Sequence, residues 1–512
     1  MRLVQTAVVG VCVLVLVLSS SVSLATGVAS SSGTGVSASA RSTFDLSSTF
    51  LSSSLSNPQL SPYYCFPFIC YTPQDLRAAY DYPNYLNGAG QTIVIIDPFG
   101  GPAGSAQAEL NVFDSAFNLP PTRIQVVCQG FVCPTFNTSD PDQVGWTGEI
   151  ALDVEYAHAM APGAHIVLFV ARSDDDLTLE QAALQAVVMF PHSIISQSWG
   201  DPELDMLDHT CFYTTDNPAG SCNAQYVQEV LATGEVAYRL AAMEGTTVFA
   251  AAGDWGADNS PICNGYFPYC PYFSSANPIY PASSPWVTSV GGTEGNPYYF
   301  DAIPSCDGAR TCSTGLVNFL NTAACQLNTE TPTATASCLP VGYGGEQVWD
   351  EGQFDAATGG APSLIFGTPF YQAGLGLTSR GMPDVSYDAS ISGGVLIYYS
   401  AVTTGPFGSP AGFYFTGGTS CGSPQWAAIA ALADQLASEL HRGPIGFLNP
   451  ALYSIGNDPR LYQRDFHDIT VGNNILPDGF DVGFNAGPGW DDASGWGTPN
   501  VANLVPDLVF LS

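Results

Sequence analysis

The feature that most restricts the fold of this chain is the alternation of short apolar runs with longer helical segments. From about residue 63 onward, runs such as "QTIVIIDPFG" (91–100) and "AHIVLFVAR" (164–172) alternate with segments of helical spacing such as "EIALDVEYAHAM" (149–160). Continuous apolar strands are typical of sheets that are covered on both faces. The pattern therefore predicts an α/β fold, a parallel sheet with helices on both faces.

Polar residues close several of the apolar runs. Asp97, Ser198 and Asp254 each stand at the end of such a run. Ligands of open α/β sheets bind where parallel strands end at their carboxyl termini. We therefore expect these three side chains at one edge of the sheet, close to a functional site.

The charge balance excludes some classes of partner. The chain of 512 residues holds 45 acidic and 11 basic residues, a formal net charge of −34. Such a charge disfavours nucleic acids and anionic membranes as partners. At about pH 3–4 many carboxylates become neutral and the self-repulsion falls, so we expect an acidic working environment. Adaptation to salt is the alternative, but salt-adapted surfaces are densely charged and only 11% of these residues are charged.

The N-terminus has the pattern of an export signal. Arg2 is followed by the apolar run "AVVGVCVLVLVL" (7–18) and then by small residues, which predicts a signal peptide over residues 1–25 and a secreted protein. An uncleaved signal anchor is the one route to a membrane that the sequence offers. A Ser-rich leader or linker (26–62) follows, and residues 63–512 are expected to form one domain.

Cysteine spacing indicates disulfides within small loops. Besides Cys12 in the signal, twelve of the 14 cysteines fall into close pairs: 65/70, 128/133, 211/222, 263/270, 306/312 and 325/338. In an exported chain such pairs favour disulfides over metal binding, although spacing does not establish connectivity. Cys421 is left over.

The segment "GGTSCGSPQWAAIAALADQ" (417–435) places Ser420 at the start of a predicted helix. The free N–H groups and the positive dipole end of a helix stabilise an oxyanion beside such a serine. The alternative is an ordinary glycine-rich loop that caps the helix. Cys421 is a second candidate nucleophile, but we expect its side chain to face the packing behind the helix.

Two carboxyl groups are the candidates to take the serine proton. None of the six histidines is flanked by glycines that would open it to a substrate. Glu149 and Asp153 are four residues apart, one turn apart on the same face of a helix. Like charges at that distance favour a shared proton, and such a pair can act as a general base. A solvated acidic face is the alternative.

Other carboxyl groups stand in glycine-rich contexts. Asp254 ends an apolar run between two glycines, where it must be hydrogen-bonded or protonated. A protonated carboxyl can donate to an oxyanion, while a cap of the next turn is the alternative. Asp468 and Asp491 lie among glycines near the C-terminus. Carboxylate and carbonyl oxygens suit Ca²⁺, although such clusters also form plain turns.

Nine segments occur in the order found in one peptidase family: "TPQDLRAAYDYP", "GQTIVIIDPFG", "GEIALDVEYAHAMAPGA", "SQSWG", "AAAGDWG", "GMPDVSYDAS", "GGTSCGSPQWAAI", "HDITVGNN" and "AGPGWDDASGWG". They extend from about Tyr71 to Pro499. Through them the chain resembles the sedolisins, serine-carboxyl peptidases with a subtilisin-like fold. The resemblance implies a catalytic set of Ser420 as nucleophile, Glu149 as base, Asp153 as its partner, and Asp254 as the oxyanion donor.

The resemblance also implies a substrate edge and a metal site. Ser198–Gly200 would pair with an extended substrate, and Trp199 would line a specificity pocket unless it is a core aromatic. One structural Ca²⁺ would stabilise the fold, bound by Asp468, Asp491 and the carbonyls of Ile469, Gly487 and Gly489.

Three departures from the family pattern stand out. Sedolisins usually carry a large N-terminal prodomain, whereas here a Ser-rich segment precedes the predicted domain. Gly417 replaces a commoner serine, and Trp255 replaces a smaller residue, which would narrow the pocket.

The sequence therefore predicts an exported, acid-active, monomeric endopeptidase that cleaves polypeptides through an acyl-enzyme. Two alternatives stay open. One is a subtilisin-type peptidase, active at neutral pH, that uses Asp97 and an unidentified histidine. The other is a non-catalytic, calcium-stabilised cell-surface protein of the same fold.

Overall fold

The structure is a computed structural model, and it describes residues 41–42, 70–207, 224–259, 275–298, 305–306, 311–320, 339–404, 408–476 and 481–512. The predicted signal peptide and most of the predicted leader lie outside these ranges. Within them, no helix combines the length and apolarity that a membrane span requires.

The helices of the described residues are α1 (Pro73–Ala79), α2 (Ser105–Phe117), α3 (Pro141–Met160), α4 (Asp176–Met189), α5 (Glu203–Leu207), α6 (Ala224–Glu244), α7 (Gly422–Glu439), α8 (Asn449–Gly456), α9 (Pro459–Asp465) and α10 (Val501–Leu511). The strands are β1 (Arg41–Ser42), β2 (Thr92–Pro98), β3 (Gln125–Cys128), β4 (His165–Ala171), β5 (Ile194–Gln197), β6 (Trp199–Pro202), β7 (Thr247–Ala251), β8 (Ile279–Tyr280), β9 (Thr288–Gly295), β10 (Ser305–Cys306), β11 (Thr311–Thr314), β12 (Val317–Leu320), β13 (Leu339–Tyr343), β14 (Glu346–Val348), β15 (Asp350–Glu351), β16 (Ala356–Ala357), β17 (Ala361–Pro362), β18 (Gly381–Met382), β19 (Val385–Asp388), β20 (Val395–Tyr399), β21 (Gly412–Thr416), β22 (Phe466–His467) and β23 (Thr498–Pro499).

A central sheet of eight strands organises the described part of the chain, in the order β14-β9-β7-β5-β2-β4-β3 with β19 also paired to β9. The parallel pairs are β3 with β4, β4 with β2, β2 with β5, β5 with β7, β7 with β9, and β9 with β19. Strand β14 is antiparallel to β9. The predicted α/β fold with a parallel sheet is confirmed.

Alternate residues of the central strands enter two separate cores. Ile93 and Ile95 of β2 pack on the side of helices α3 and α7. Val94 and Ile96 pack on the side of α4 and α6. Because both faces are covered by helices, the strand is apolar throughout, as the sequence pattern predicted.

Local signals explain where two helices begin. Thr72 and Asp75 form a capping box at the start of α1, with Pro73 in its first turn. Asp140 accepts a hydrogen bond from the N–H of Asp142 at the start of α3, and Pro141 follows it. These are ordinary N-terminal signals. From Val144 onward helix α3 is buried on nearly all sides, so Glu149, Asp153 and Glu155 lie inside the protein.

The predicted cysteine pairing is confirmed for Cys128 and Cys133, which form a disulfide. Cys70 and Cys312 are also disulfide-bonded, and Cys421 is free and buried. The predicted pairs 211/222, 263/270 and 325/338 lie outside the described residues.

Candidate active site

Helix α3 brings two carboxyl groups into the interior, one turn apart. Glu149 and Asp153 are both fully buried. Burial raises the pKa of Asp153 well above its usual range, and the charges of Asp97 and Glu149 raise it further. Ser198 Oγ donates to Asp153 Oδ1 at 3.0 Å. The pair is therefore not a solvated face, and Asp153 favours its protonated form.

Asp97 is a third member of this carboxyl cluster. It lies in β2 and is fully buried, and neither carboxyl oxygen has a hydrogen-bond partner among the residues that the structure describes. Burial raises its pKa to about 7. The family resemblance assigned no role to Asp97. The signal for it in the sequence was a carboxylate at the end of an apolar run, but its proximity to Asp153 depends on how α3 packs on β2.

Ser420 lies in a 3₁₀ turn (Thr419–Cys421) that continues directly into α7. Gly418 before the turn has φ of +105°, a conformation that favours glycine. A Cβ at Gly417 would lie 2.5 Å from the carbonyl oxygen of Ala389, so the glycine that departs from the family pattern suits a close backbone approach.

The turn of Ser420 meets the carboxyl cluster. It packs against helix α3. Burial raises the pKa of the Cys421 thiol well above its usual range, and so do the charges of four carboxylates around it: Asp388, Glu149, Asp254 and Asp153. The residue next to Ser420 therefore lies within electrostatic reach of all three predicted catalytic carboxyl groups.

Asp254 is joined to the nucleophile turn. Its Oδ1 accepts from the N–H of Thr419 at 2.7 Å and from the Thr419 hydroxyl at 2.8 Å. The Thr419 hydroxyl in turn accepts from the N–H of Gly253 at 3.0 Å. Asp254 thus fixes the residue beside Ser420, a contact that sequence reasoning did not anticipate. In a protonated Asp254 the proton would lie on Oδ2, because Oδ1 already accepts two hydrogen bonds.

The predicted substrate edge carries a short antiparallel strand in this structure. Strand β1 pairs with β6, with Arg41 opposite Gly200 and Ser42 opposite Trp199. The other side of β6 pairs with β8. The indole of Trp199 is only 1% exposed and its Nε1 donates to the Ile96 carbonyl at 2.9 Å. This favours the interpretation of Trp199 as a core aromatic, whereas its backbone lies on the edge.

The residues of the predicted calcium site lie in two loops that β22 and β23 bring together: Asp468 and Ile469 in one, Gly487, Gly489 and Asp491 in the other. The N–H of Gly489 donates to Asp468 at 3.1 Å, and that of Gly487 donates to Asp491 at 2.7 Å. Tyr462 donates to Asp468 Oδ1 at 2.7 Å.

The donor set of these loops fits Ca²⁺ in chemistry. Burial raises the pKa of Tyr462 above its usual range, and the charges of Asp468 and Asp491 raise it further. Both carboxylates therefore lie near the Tyr462 hydroxyl. Two carboxylates and glycine-rich backbone supply hard oxygen ligands. Carbonyl oxygens would have to complete the coordination, because the described residues hold no group of three or more His, Cys, Asp or Glu side chains arranged so that they could bind a metal ion.

Comparison with known proteins identifies several peptidases as relatives. No family model matches the chain. Kumamolisin of Bacillus sp. (strain MN-32) is 30% identical over 453 residues, which cover 86% of this chain and 64% of kumamolisin. Sedolisin of Pseudomonas sp. (strain 101) is 29% identical over 449 residues, which cover 85% of this chain and 60% of that sedolisin. Tripeptidyl-peptidase 1 of Mus musculus is 27% identical over 371 residues, which cover 70% of this chain and 52% of the peptidase.

A solved structure shares the fold. The structure of Pseudomonas sedolisin, a serine-carboxyl proteinase, matches with a TM-score of 0.59 and 25% identity, covering 85% of this chain and 97% of that one. The chain spans between about half and two thirds of the length of the curated relatives above.

Proposed function

Because this chain is a homologue of the sedolisin-family serine-carboxyl peptidases, we propose that it is an acid-active serine-type endopeptidase that hydrolyses polypeptides. The observation that supports the proposal is that the turn of Ser420 packs against α3, that Asp254 binds Thr419 in this turn, and that the charges of Glu149 and Asp153 reach its neighbour Cys421. A nucleophile beside a helix N-terminus, with a buried carboxyl pair as base, supplies the activated nucleophile and the oxyanion donor that acyl transfer needs.

In the proposed acylation step, Ser420 Oγ attacks the scissile carbonyl while Glu149 takes the hydroxyl proton. Asp153, whose pKa is raised by burial, shares the proton of the pair. The oxyanion accepts hydrogen bonds from the Ser420 N–H and from protonated Asp254. The tetrahedral intermediate then breaks its C–N bond, and the leaving amine takes the proton from Glu149.

Deacylation repeats these steps with water as the nucleophile. Glu149 takes a proton from water, the new C–O bond forms, and Ser420 Oγ leaves with that proton. Activity falls toward neutral pH because an ionised Asp254 repels the oxyanion. It falls at very low pH because Glu149 becomes fully protonated. The polar contacts of buried His158 are with Pro120 and Asp114. His158 therefore gives no support to the alternative of a histidine-dependent peptidase that is active at neutral pH.

For the domain organisation, we propose a signal peptide (1–25), a leader (26–62) and a peptidase domain (63–512). The protein is secreted into an acidic environment and acts as a monomer. Substrate pairs in extended form with the backbone of Ser198–Gly200. The pairing of β1 with this segment supports its ability to accept an antiparallel strand.

One structural Ca²⁺ is proposed between the loops of Asp468 and Asp491. When bound, the ion would neutralise two carboxylates and join the loops, without contact to the reacting atoms. Chelation is expected to lower the melting temperature, and restored Ca²⁺ but not Mg²⁺ should recover it. A melting temperature that is indifferent to chelator would refute the metal site and leave the peptidase proposal intact.

The peptidase proposal is tested by the Ser420→Ala variant. It should lose cleavage of an unfolded protein at about pH 3–4 while its circular dichroism spectrum is unchanged. Ser438→Ala, in an exposed position of helix α7 that follows the turn of Ser420, is the matched control and should cleave normally. Normal turnover by Ser420→Ala would overturn the proposal.

A further inference from the structure

Two glutamates from different helices bind the outer edge of strand β20. One edge of β20 pairs with β21. On the other edge, the N–H of Tyr398 donates to Glu155 Oε2 at 3.0 Å. The N–H of Ser400, just after the strand, donates to Glu109 Oε1 at 2.5 Å. Two carboxyl groups therefore accept hydrogen bonds from backbone N–H groups that this edge of the strand would otherwise leave without an acceptor.

This edge connects the catalytic helix to the nucleophile. Glu155 belongs to α3, the helix of Glu149 and Asp153, and Glu109 belongs to α2. Tyr156 of α3 also donates to the Leu396 carbonyl of β20 at 3.0 Å. Strand β21, the partner of β20, ends at Thr416, and Ser420 follows four residues later. A shift of the β20–β21 pair would therefore act on the turn of Ser420.

The carboxyl groups that hold β20 are buried and close to one another. Glu109 is 1% and Glu155 0% exposed, and within the described part of the chain Glu155 Oε1 has no hydrogen-bond partner. Burial raises the pKa of Glu155 well above its usual range, and the charges of Glu109 and Asp114 add to this. Burial also raises the pKa of Glu109 and of Asp114 to about 7 each.

The surrounding groups do not compensate these charges. His158 of α3 lies 3.3 Å from Asp114, but burial lowers the pKa of its imidazole and its Nε2 lies 2.8 Å from the Pro120 carbonyl. The nearby phenols, Tyr156 of α3 and Tyr398 and Tyr399 of β20, have raised pKa values and stay neutral. Each arginine that forms an ion pair in the described residues does so with other carboxylates.

We propose that Glu109 and Glu155 form an acid-dependent clamp that holds β20 on helices α2 and α3 while the cluster with Asp114 is protonated, and that releases it as the cluster ionises. A neutral carboxyl accepts an N–H through its carbonyl oxygen without burying charge. Full ionisation would leave three buried carboxylates without a cation. The free energy needed to bury these charges exceeds the free energy gained from the stronger hydrogen bonds that charged carboxylates accept. The consequence for catalysis rests on the proposed function, but the clamp itself does not.

The test is hydrogen exchange of residues 395–400 between pH 4 and pH 8, in the Ser420→Ala background to prevent proteolysis. Protection factors, corrected for intrinsic rates, should fall at least about tenfold for these residues relative to β2, since one unit of pKa corresponds to a factor of ten. Glu109→Gln/Glu155→Gln keeps the acceptor carbonyls and removes the charges. We expect its protection to fall less than about threefold. Glu229→Gln, at an exposed position of α6, should behave as the parent.

Equal loss of protection in the parent and the double variant would overturn the clamp, as would full protection of the parent at pH 8. If the double variant does not fold at pH 4, Asp114→Asn removes one charge of the cluster and leaves both N–H contacts in place. It should make the loss of protection at pH 8 smaller than in the parent, because fewer buried charges then oppose the two contacts, and a loss as large as the parent's would overturn the clamp. These readouts need no turnover, so failure of the clamp and failure of the peptidase proposal are distinguishable.

Discussion

At the scale of single residues, Asp254 has two oxygen atoms with different roles. Oδ1 accepts from both donors of Thr419 and so fixes the turn of Ser420. Oδ2 is the atom that would carry the proton offered to the oxyanion. An asparagine can reproduce both roles, because its carbonyl accepts and its amide donates at any pH.

We therefore expect Asp254→Asn to keep the fold and to move the alkaline limb of kcat/KM to higher pH, by on the order of one unit. The measurement is kcat/KM on one peptide across the pH range. Asp254→Ala removes the Thr419 anchor as well and should lower kcat by about 10²–10³ at every pH. An unchanged alkaline limb in Asp254→Asn would exclude Asp254 as the titrating donor.

At the scale of elements, helix α3 shows how far sequence reasoning reaches. The spacing of Glu149 and Asp153 predicted a carboxyl pair on one face of a helix, and the structure shows that both residues are fully buried on α3. The helix begins at Pro141, before the segment predicted from periodicity, since a helix buried over most of its length has no continuous polar face to mark its limits. Asp97 of β2 lies within electrostatic reach of Asp153, and Glu155 binds β20. Both relations are distant in sequence, and local patterns do not encode them.

Strand β6 raises a second question at this scale, because the leader and the substrate would use the same backbone edge. Strand β1 pairs with Trp199 and Gly200, so residues 41–42 should compete with an extended substrate. A chain that lacks residues 26–62 is expected to have a lower KM and an unchanged kcat. Measurement of both constants at one acidic pH tests this.

The control for that comparison is the full chain with Arg41→Pro and Ser42→Pro, since proline removes the backbone donors that a strand pair needs. It should resemble the shortened chain. Equal KM values in all three proteins would show that the β1 pairing does not compete with substrate.

At the scale of the whole molecule, the interior holds carboxyl groups in many places besides the site. Burial raises the pKa of Asp434 and Asp492 to about 7 each, and that of Glu294 to about 9 although Gln347 donates to it. The apolar patterns predicted which segments form the core, but not these acids, since their burial follows from contacts between separate elements. The net charge of −34 adds to the repulsion as they ionise.

This distribution predicts a fold that is most stable in acid. A carboxyl whose pKa is higher in the folded than in the unfolded chain contributes its full stability below the unfolded value of about 4, and this is lost as pH rises through the folded value. The melting temperature should therefore fall between about pH 4 and the folded values of about 7 for Asp434 and about 9 for Glu294.

Glu294→Gln isolates one such group. The variant keeps an acceptor for Gln347 and cannot ionise, so its melting temperature should equal the parent's at pH 4 and exceed it at pH 9 by on the order of a few degrees. Glu439→Gln, at an exposed position of α7, should match the parent at both pH values. Calorimetry in the Ser420→Ala background avoids self-digestion. Parent stability that is constant or rises from pH 4 to pH 9 would contradict acid stabilisation through buried carboxyl groups, whatever the outcome for the active site.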